Sequence, residues 1–540
     1  MNTQEQVRPR DTLIACGAIV ACITALITLG HEGRRIAQLL ALAAPVLLWL
    51  VWPIRNVSMH RLRTGVVWLW AVAFAADAAV RAYLLSAYQA APDSALILGA
   101  AANTNAREGG EYLSMNWRPL VVWLTVLVAA GLVVGRFASR GIRAPAPWPR
   151  WATALICAAL LMSCVAYASK PWRRLHPIVF WANWSESAHA LRAGWTDQLL
   201  ERQRAIARAK AAGPVVVRDG PAMVMLVITD SVNRDNMALY GYGRATTPRL
   251  LAQKEQLEGQ MLVLRNAWSV DAGTLPALRN MFSFGLPASD NPQHVLALAR
   301  AAGYKVWWVS NHDDVAIEQQ HARLADVVEM VNRTPGRAGT LLDGELFDYV
   351  KEALEDQAER KLVVVHLLGA HPHYKLRYPA GSNPFDDGAD SVEEGLVKSG
   401  RSARVRRLRQ EYDAAIFYHD FVVSELLQMA RMVRRTNEYS AWIYLSDHGQ
   451  EVGHVSNRAG HSSSTASGYR IPTVVWHNEA RGRVRQQLPD LPFRSDWVGW
   501  TISDLLNLRW AGDEPTRNVL HYDYRWHAPS LPAPVLSFEE

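Results

Sequence analysis

Long apolar runs crowd into the first third of the chain and constrain its fold more than any other feature. Five of them, each near the ~20 residues that a membrane-spanning helix needs, cover residues 12–30, 36–54, 64–87, 118–135 and 151–169. The remainder has the mixed composition of a water-soluble α/β protein. At 540 residues the chain is also too long for one ordinary core. We therefore expect an all-α transmembrane domain of five helices at residues 1–170, followed by soluble structure.

Arginines between the apolar runs predict the direction in which the chain crosses the membrane. The positive-inside rule places arginine-rich connections on the cytoplasmic side. Such arginines precede the first run, separate the second from the third, and separate the fourth from the fifth: Arg8, Arg10, Arg55, Arg61, Arg63, Arg136, Arg140, Arg143 and Arg150. Five spans then leave everything after the fifth run on the outer side. For a bacterial protein this predicts a multi-pass inner-membrane anchor, without a cleaved signal peptide, and a periplasmic domain.

Charge and cysteine content exclude two other readings. The net charge of +7 does not indicate a nucleic-acid partner, because the arginines cluster beside apolar runs instead of alternating with surface aromatics. All four cysteines, Cys16, Cys22, Cys157 and Cys164, lie inside apolar runs. The soluble part therefore has no disulfide framework.

An ionisable pair interrupts the third apolar run. Asp77 and Arg81 lie four positions apart, which is about one helical turn, and such a pair is costly in a membrane unless it faces the bundle or water. We interpret the two residues as a mutual structural pair near the outer end of the span.

Residues 171–215 are predicted to form interfacial connector helices. Trp172, Trp181, Trp184 and Trp195 fall here among arginines and glutamates, and tryptophan favours the bilayer interface while basic residues meet anionic lipid. The alternative is a solvated helix whose tryptophans pack only on protein.

Residues 216–540 read as a separate α/β domain. Apolar runs without alternation predict strands covered on both faces, at Met223–Ile228, Lys305–Ser310, Leu362–Leu367, Ala441–Leu445 and Thr473–Trp476. They alternate with helical stretches at Val295–Ala302, Leu342–Gln357 and Arg407–Met429. This alternation predicts a mostly parallel central sheet between layers of helices. In such sheets, ligands bind beyond the carboxyl ends of the strands.

Possible metal ligands stand just beyond two of these strands. Asp230 follows the first strand, and Asp447 with His448 follows the strand at Ala441–Leu445. One such residue alone is more often a turn or a cap. Carboxylate and imidazole groups together are ligands that zinc accepts, so the sequence predicts a metal site if these segments converge.

A hydroxyl and two histidines add to this set. Thr274, two residues before Pro276, opens an apolar-periodic stretch that is typical of a helix start. Alone it is an N-cap threonine; beside a divalent metal, the helix dipole and the cation both favour its alkoxide, a nucleophile toward phosphorus. His371 follows the Leu362–Leu367 strand, and His461 follows the Asp-His pair.

The order of these residues resembles the membrane-bound phosphoethanolamine transferases of the alkaline phosphatase/sulfatase superfamily. The resemblance covers nearly the whole chain. It rests on five apparent spans followed by Asp230, Thr274, Gly369-Ala370-His371, Asp447-His448-Gly449 and Gly460-His461. Further matching text is Leu239-Tyr240-Gly241-Tyr242, Thr246-Thr247-Pro248, Glu411-Tyr412-Asp413-Ala414-Ala415-Ile416 and Tyr469-Arg470-Ile471-Pro472.

The resemblance implies a role for each matching position. Asp230, Asp447 and His448, with Thr274, correspond to ligands of a Zn²⁺ ion, a second ion being left open. Thr274 corresponds to the threonine that becomes modified by phosphoethanolamine. His371 and His461 correspond to histidines that hold the phosphoryl group or assist the leaving and attacking oxygens. Whether His454 joins His461 in the site is left open.

Three departures from the family pattern bear on these assignments. The family usually has glutamate where Asp230 stands, although related sulfatases use aspartate there. The disulfides common in many relatives are absent. Thr274 lies in Gly-Thr-Leu-Pro, which resembles the Cys-x-Pro entry of sulfatases as well as the heptose-directed transferases. Ser231, Ser269 and Asp271 remain competing oxygen groups.

The expected function follows from the resemblance. The chain would move phosphoethanolamine from phosphatidylethanolamine to a lipopolysaccharide acceptor, lipid A or an inner-core sugar, through a covalent phosphothreonine at a zinc site. One alternative is a phosphoglycerol transferase or hydrolase of the same superfamily. The other is a non-catalytic, sulfatase-like regulator that binds lipopolysaccharide. The presence of a nucleophile together with metal ligands argues against this alternative.

Overall fold

The computed structural model describes residues 9–31, 33–50, 54, 56–139, 150–196, 198–284, 293–333, 342–387, 390–432, 437–479 and 488–539. It divides into two compact units, Met1–Leu191 and Arg192–Glu540. The division falls inside the segment predicted as a connector.

The first unit is helical. Its elements are α1 (Pro9–Gly30), α2 (Arg34–Trp49), α3 (Val57–Tyr88), α4 (Ala95–Asn103), α5 (Ala106–Ala138), α6 (Arg150–Ala168), α7 (Lys170–Arg173) and α8 (Pro177–Thr196). Asn56 caps α3 by accepting the backbone N–H groups of Ser58 and Met59, as asparagine does at many helix starts. The five predicted apolar runs lie on α1, α2, α3, α5 and α6.

Two described helices are long and apolar enough to cross a bilayer, Val57–Tyr88 and Glu108–Ala138, and two apolar helices are shorter, Gly17–Gly30 and Thr153–Ala168. The arrangement with five spans therefore stays a prediction. Part of the second run, at 51–53, and several topology-setting arginines lie outside the described residues: Arg8, Arg55, Arg140 and Arg143.

The predicted pair within α3 is confirmed. Nε of Arg81 donates to Oδ1 of Asp77 at 2.9 Å. Both residues are buried, with 7% and 2% of their surfaces exposed.

The second unit is an α/β domain. Its helices are α9 (Leu199–Ala211), α10 (Pro248–Gln256), α11 (Thr274–Phe282), α12 (Val295–Ala301), α13 (Val315–Gln320), α14 (Phe347–Glu355), α15 (Ser391–Lys398), α16 (Ala403–Arg431) and α17 (Val498–Leu505). Its longer strands are β2 (Ala222–Thr229), β5 (Lys305–Ser310), β7 (Arg360–Leu367), β8 (Tyr439–Ser446) and β11 (Thr473–His477). The shorter ones are β1 (Val215–Val216), β3 (Met261–Val263), β4 (Ala267–Trp268), β6 (Val327–Met330), β9 (Glu451–Val452), β10 (Ala459–Gly460), β12 (Phe493–Arg494) and β13 (Leu508–Arg509).

Seven strands form the central sheet, in the order β3-β11-β8-β2-β7-β5-β6. Strands β8, β2, β7, β5 and β6 run parallel to one another. Strand β11 is antiparallel to both β8 and β3, so the sheet is mixed.

Helices cover both faces of the sheet. In β2, Val224, Leu226 and Ile228 point into one hydrophobic cluster, and the intervening Met223, Met225 and Val227 point into the other. Successive side chains of a strand point to opposite faces. A strand packed on both faces needs apolar residues at every position, which explains the lack of alternation in the sequence.

The register of the parallel strands fixes where the site forms. Thr229, the last residue of β2, lies opposite Leu367 of β7 and opposite Ser446 of β8. The residues that follow each strand therefore leave the sheet at the same edge, which is where parallel sheets bind ligands.

Candidate active site and metal centre

Three side chains beyond β2 and β8 form a compact group of possible metal ligands. One ligand atom from each of Asp230, Asp447 and His448 lies within 4.8 Å of the others. All three residues are fully buried. The convergence expected from the sequence therefore occurs at the carboxyl edge of the sheet.

The backbone sets the orientation of His448. Its Nδ1 lies 2.7 Å from the carbonyl oxygen of Gly449, a distance that fits Nδ1–H donating to that oxygen. The lone pair then resides on Nε2, the atom that faces Asp447 Oδ2 at 3.6 Å. A backbone partner of this kind is how metal-binding histidines are usually oriented. Glycine is required at 449 because a Cβ there would lie 2.3 Å from the carbonyl oxygen of Ser467.

Asp447 has one oxygen satisfied and one without a partner. Its Oδ1 accepts the backbone N–H groups of Ser231 at 3.1 Å and of His448 at 2.6 Å. Its Oδ2 is buried and has no hydrogen-bond partner among the described residues. A buried, unpaired carboxylate oxygen is costly, so a cation at this point fits the residues present. Oxygen and imidazole ligands suit zinc.

The electrostatics of the two carboxyl groups also favour a cation. Burial disfavours the charged form of Asp447, and repulsion from Asp230 acts in the same direction, so the pKa of Asp447 rises above its usual range despite the attraction of His448. Two buried carboxylates this close do not both ionise readily unless a positive charge lies between them.

Asp230 is the carboxyl that stays ionised. Burial disfavours its charge, but the surrounding histidines outweigh burial and hold the pKa of Asp230 below its usual range. These are His371, His448, His312 and His461.

Thr274 presents its hydroxyl to this group. Helix α11 begins at Thr274, with Gly273 as the N-cap residue. The threonine Oγ1 lies 2.9 Å from Asp230 Oδ2 and 3.4 Å from His448 Nε2. The positive end of the helix dipole lies at this hydroxyl, and a cation held by the ligand group would lie beside it. Both would favour negative charge on the threonine oxygen.

His371 and His461 complete the cluster. The rings of His371 and His461 lie 6.5 Å apart, and those of His461 and His448 lie 4.7 Å apart. Burial lowers the pKa of His371 to about 3 and that of His461 to about 4. Both imidazoles are therefore neutral at pH 7 and can accept a proton or a hydrogen bond.

The competing oxygen groups have supporting contacts. Ser231 donates its hydroxyl to Asp230 Oδ1 and stands at φ 60°, a conformation that is strained for a residue with a Cβ. Ser269 donates to the carbonyl oxygen of Asp447 at 2.6 Å. Asp271 Oδ1 accepts the N–H of Ala272 at 2.9 Å. The hydroxyl of Thr274 differs in that it lies near two of the candidate ligands, Asp230 and His448.

Two histidines considered in the sequence lie in other roles. His454 uses both ring nitrogens in hydrogen bonds, with Asn236 Oδ1 at 2.8 Å and the N–H of Val452 at 3.3 Å, so it supports the loop. His366 is fully buried within β7.

Two residues near the site escaped sequence reasoning. His312 follows β5 and lies 6.3 Å from His371, measured between ring centres. Like the candidate ligands, it follows the carboxyl end of a strand, and this position could have identified it in the sequence. Asp343 accepts the N–H groups of Leu368 and Gly369, and no local motif in the sequence indicates that role.

Comparisons with known proteins identify relatives of this chain. Residues 222–505 match the family described as Sulfatase. Phosphoethanolamine transferase EptC of Escherichia coli K12 is 27% identical over 457 residues, which cover 78% of this chain and 76% of the relative. The predicted resemblance to membrane-bound phosphoethanolamine transferases is thereby confirmed.

Solved structures share the fold. The C-terminal periplasmic domain of EptC from E. coli, crystallised in complex with Zn, has a TM-score of 0.52 and 27% identity, and covers 58% of this chain and 91% of that chain. The integral membrane protein EptA from Neisseria meningitidis has a TM-score of 0.56 and 17% identity over 94% of this chain and 97% of its own. The second match extends the shared fold to the N-terminal helices. The family match spans more than half of the sequence and contains all six candidate site residues, so the chain belongs to the sulfatase family.

Proposed function

We propose that the chain transfers phosphoethanolamine from phosphatidylethanolamine to a lipopolysaccharide acceptor, through a covalent ester on Thr274. One observation carries the proposal. The hydroxyl of Thr274 stands at a helix N-terminus, 2.9 Å from Asp230 Oδ2 and 3.4 Å from His448 Nε2. A hydroxyl placed in this way is suited to attack phosphorus.

In the first half-reaction, Thr274 acts as the nucleophile. Its oxygen bonds to the phosphorus of the donor phosphodiester while the bond from phosphorus to the diacylglycerol oxygen breaks. The threonine proton ends on the departing diacylglycerol. Asp230 accepts the hydroxyl hydrogen bond and orients the attacking oxygen.

In the second half-reaction, the acceptor hydroxyl or phosphate oxygen attacks the same phosphorus, and the bond to Thr274 breaks. His371 and His461, being neutral, can take the acceptor's proton or hold the phosphoryl oxygens. The threonine regains its proton. Two steps of like chemistry thus use one set of side chains.

Asp230, Asp447 and His448, together with Thr274, would hold a Zn²⁺ ion. When bound, zinc supplies Lewis acidity that polarises the phosphoryl group and lowers the pKa of a coordinated hydroxyl. Relevant support is the orphaned Oδ2 of Asp447. We propose one ion for these ligands.

The membrane arrangement belongs to the same proposal. Five spans with a periplasmic C-terminal domain would keep the chain in the bilayer that contains both the donor and the acceptor, which raises their effective concentration. A connector at residues 171–215 would keep the domain near the membrane surface.

The test is covalent labelling. Full-length protein incubated with phosphatidylethanolamine carrying labelled ethanolamine should retain the label, and mass spectrometry should place it on Thr274. Thr274→Ala should take up none. Thr516→Ala is the matched control, because Thr516 lies on a short helical turn remote in sequence from the site, and it should label as wild type does.

Different outcomes would replace the proposal. Labelling from phosphatidylglycerol in place of phosphatidylethanolamine would indicate a phosphoglycerol transferase. Release of ethanolamine phosphate to water, with no labelled lipopolysaccharide, would indicate a hydrolase. A zinc-free protein whose cellular effect survives Asp447→Ala would indicate a binding protein.

A further inference from the structure

Within the helical unit, one buried arginine has unused hydrogen-bonding capacity. Arg81 of α3 is 7% exposed. Its Nε donates to Asp77, but its two terminal nitrogens donate to no residue in the part of the chain that the structure describes. The guanidinium lies over the ring of Phe180 at 4.0 Å, which fixes its plane.

Asp77 holds this arginine in place and is itself saturated. Besides Arg81, Oδ1 accepts the indole N–H of Trp181 at 2.9 Å, and Oδ2 lies 3.0 Å from Nε2 of His31. Because three donors surround a carboxylate that is 2% exposed, Asp77 has little capacity left for the terminal nitrogens of Arg81. An arginine buried at this depth in an apolar helix is expensive unless a further acceptor meets it.

Arg81 is one of the residues that line a cavity. The others are His31, Arg35, Asp93, Leu39, Leu175 and Phe180. Arg35 is exposed and forms no ion pair with any described residue. Two guanidinium groups around one cavity form a suitable site for phosphate, because each presents a planar fork of donors.

We propose that this cavity binds the head group of a zwitterionic glycerophospholipid. Arg35 and Arg81 hold the phosphodiester, and Asp93 meets the ammonium group. The leucines and Phe180 contact the glycerol end of the lipid. Free phosphate has no group that could occupy this part of the cavity.

Charge balance selects a zwitterion over an anion. Asp77 pairs with Arg81 and Asp93 also lines the cavity, so two carboxylates offset the two guanidinium charges in number, and a ligand with no net charge keeps that balance. An anionic head group would add a negative charge beside Asp93 without a cation to offset it. The claim that this lipid is also the donor of the transfer reaction rests on the proposed function. The claim that the cavity binds the lipid does not rest on it.

The experiment is native mass spectrometry of the full chain in detergent, after delipidation and titration with dioleoyl phosphatidylethanolamine. Wild type should bind one lipid molecule that Arg35→Gln binds about tenfold more weakly, since it loses charge-assisted hydrogen bonds. Arg34→Gln is the matched control, an exposed neighbour on α2 that does not line the cavity, and it should bind as wild type does. Equal loss in both variants, or no loss in Arg35→Gln, overturns the site.

Two further titrations identify the ligand. Asp93→Asn should lose the preference for phosphatidylethanolamine over phosphatidylglycerol that wild type shows; an unchanged preference overturns the zwitterion assignment. Inorganic phosphate should not displace the lipid at equal concentration, and displacement would assign the cavity to free phosphate.

The outcome is separable from the transferase proposal. Thr274→Ala should still bind the lipid at the cavity, because Thr274 belongs to the other unit. If Thr274 takes up no label while Arg35 still governs lipid binding, the proposed function fails and the lipid site stands. If labelling succeeds and Arg35→Gln binds lipid normally, the lipid site fails alone.

Discussion

Asp343 accepts the backbone N–H of Gly369 at 2.8 Å through Oδ2. Its other oxygen accepts the N–H of Leu368 and the side-chain amide of Asn311, both at 2.9 Å. The carboxylate therefore determines the path of the loop that carries His371, although it contacts none of the candidate ligands.

Replacing that carboxylate should loosen the loop. Asp343→Ala leaves three donors without their acceptor, each costing about 1–3 kcal/mol when buried. We expect a loss of at least about 3 kcal/mol in unfolding free energy, measured by denaturant titration, and a fall in transfer rate of about tenfold. Asp348→Ala, an exposed neighbour on α14, should change stability by less than about 0.5 kcal/mol; a similar loss there would contradict the assignment.

Gly369 should tolerate no side chain. It stands at φ +54°, and a Cβ there would lie 2.0 Å from Thr229 Oγ1 and 2.8 Å from the carbonyl oxygen of Asp230. Gly369→Ala should cost at least about 3 kcal/mol through overpacking and strain and should reduce zinc content. Gly381 is the matched control, since it has φ +78° with nothing within 4 Å.

Gly381→Ala should cost only about 1 kcal/mol, because the backbone conformation is the sole difference. Thermal unfolding and metal analysis of both variants measure the two effects. Equal losses would mean that the close approach at Asp230 does not matter.

Zinc binding should depend on Asp447 and not on Asp271. Asp447→Asn removes an anionic ligand, and we expect zinc affinity to fall at least about a hundredfold, by comparison with the 10–100-fold cost of losing an outer-shell partner. Asp271→Asn, which changes a nearby carboxyl outside the ligand group, should keep affinity within about threefold. Competition with a fluorescent chelator measures both constants, and a reversed order would reassign the ligands.

The stability of the domain should fall between neutral and alkaline pH because of His312. Its ring nitrogens lie 3.2 Å from Asp314 Oδ2 and 3.0 Å from the carbonyl oxygen of Leu367, so the imidazolium can donate to both. Burial opposes the charge, but the hydrogen bond and attraction from Asp314 outweigh it and raise the pKa of His312 to about 9.

The pKa of His312 is higher in the folded protein than the unfolded value of about 6.5. Protonated His312 therefore contributes its full stabilisation below about pH 6.5. The contribution is lost as pH rises toward 9. Asp314→Asn should therefore flatten the decline in unfolding free energy between pH 6 and pH 9, measured by urea titration, whereas Asp348→Asn should leave it unchanged. A decline of equal slope in Asp314→Asn would show that another group titrates.

The sequence was sufficient to predict that the three candidate ligands meet, because their positions depend on a local rule. Asp230, Asp447 and His448 each follow an unalternating apolar strand, and parallel strands deliver such residues to one edge. His312 obeys the same rule after Lys305–Ser310, so it was within reach of the same reasoning.

The role of Asp343 was not within reach of this reasoning, because only the folded chain brings its three hydrogen-bond donors to it. Its hydrogen bonds cross 25 and 26 positions of sequence, and a lone aspartate before a helix reads as an ordinary start signal. The boundaries of helices were similarly approximate. Helix α16 begins at Ala403, after a Ser402 cap, four residues earlier than its apolar pattern predicted, since its first turn is mostly basic.

The hydrogen bond between Ser231 and Asp447 joins residues 216 positions apart, and this separation has a consequence for biosynthesis. A ribosome releases Asp230 and Thr274 long before β8 (Tyr439–Ser446) exists, so the emerging chain has two of the four proposed ligands and an incomplete sheet. Closing so long a loop costs entropy that the finished sheet must repay. Metal uptake should thus have to wait until β8 has joined the sheet, and a truncated product ending before β8 should take up no zinc at all.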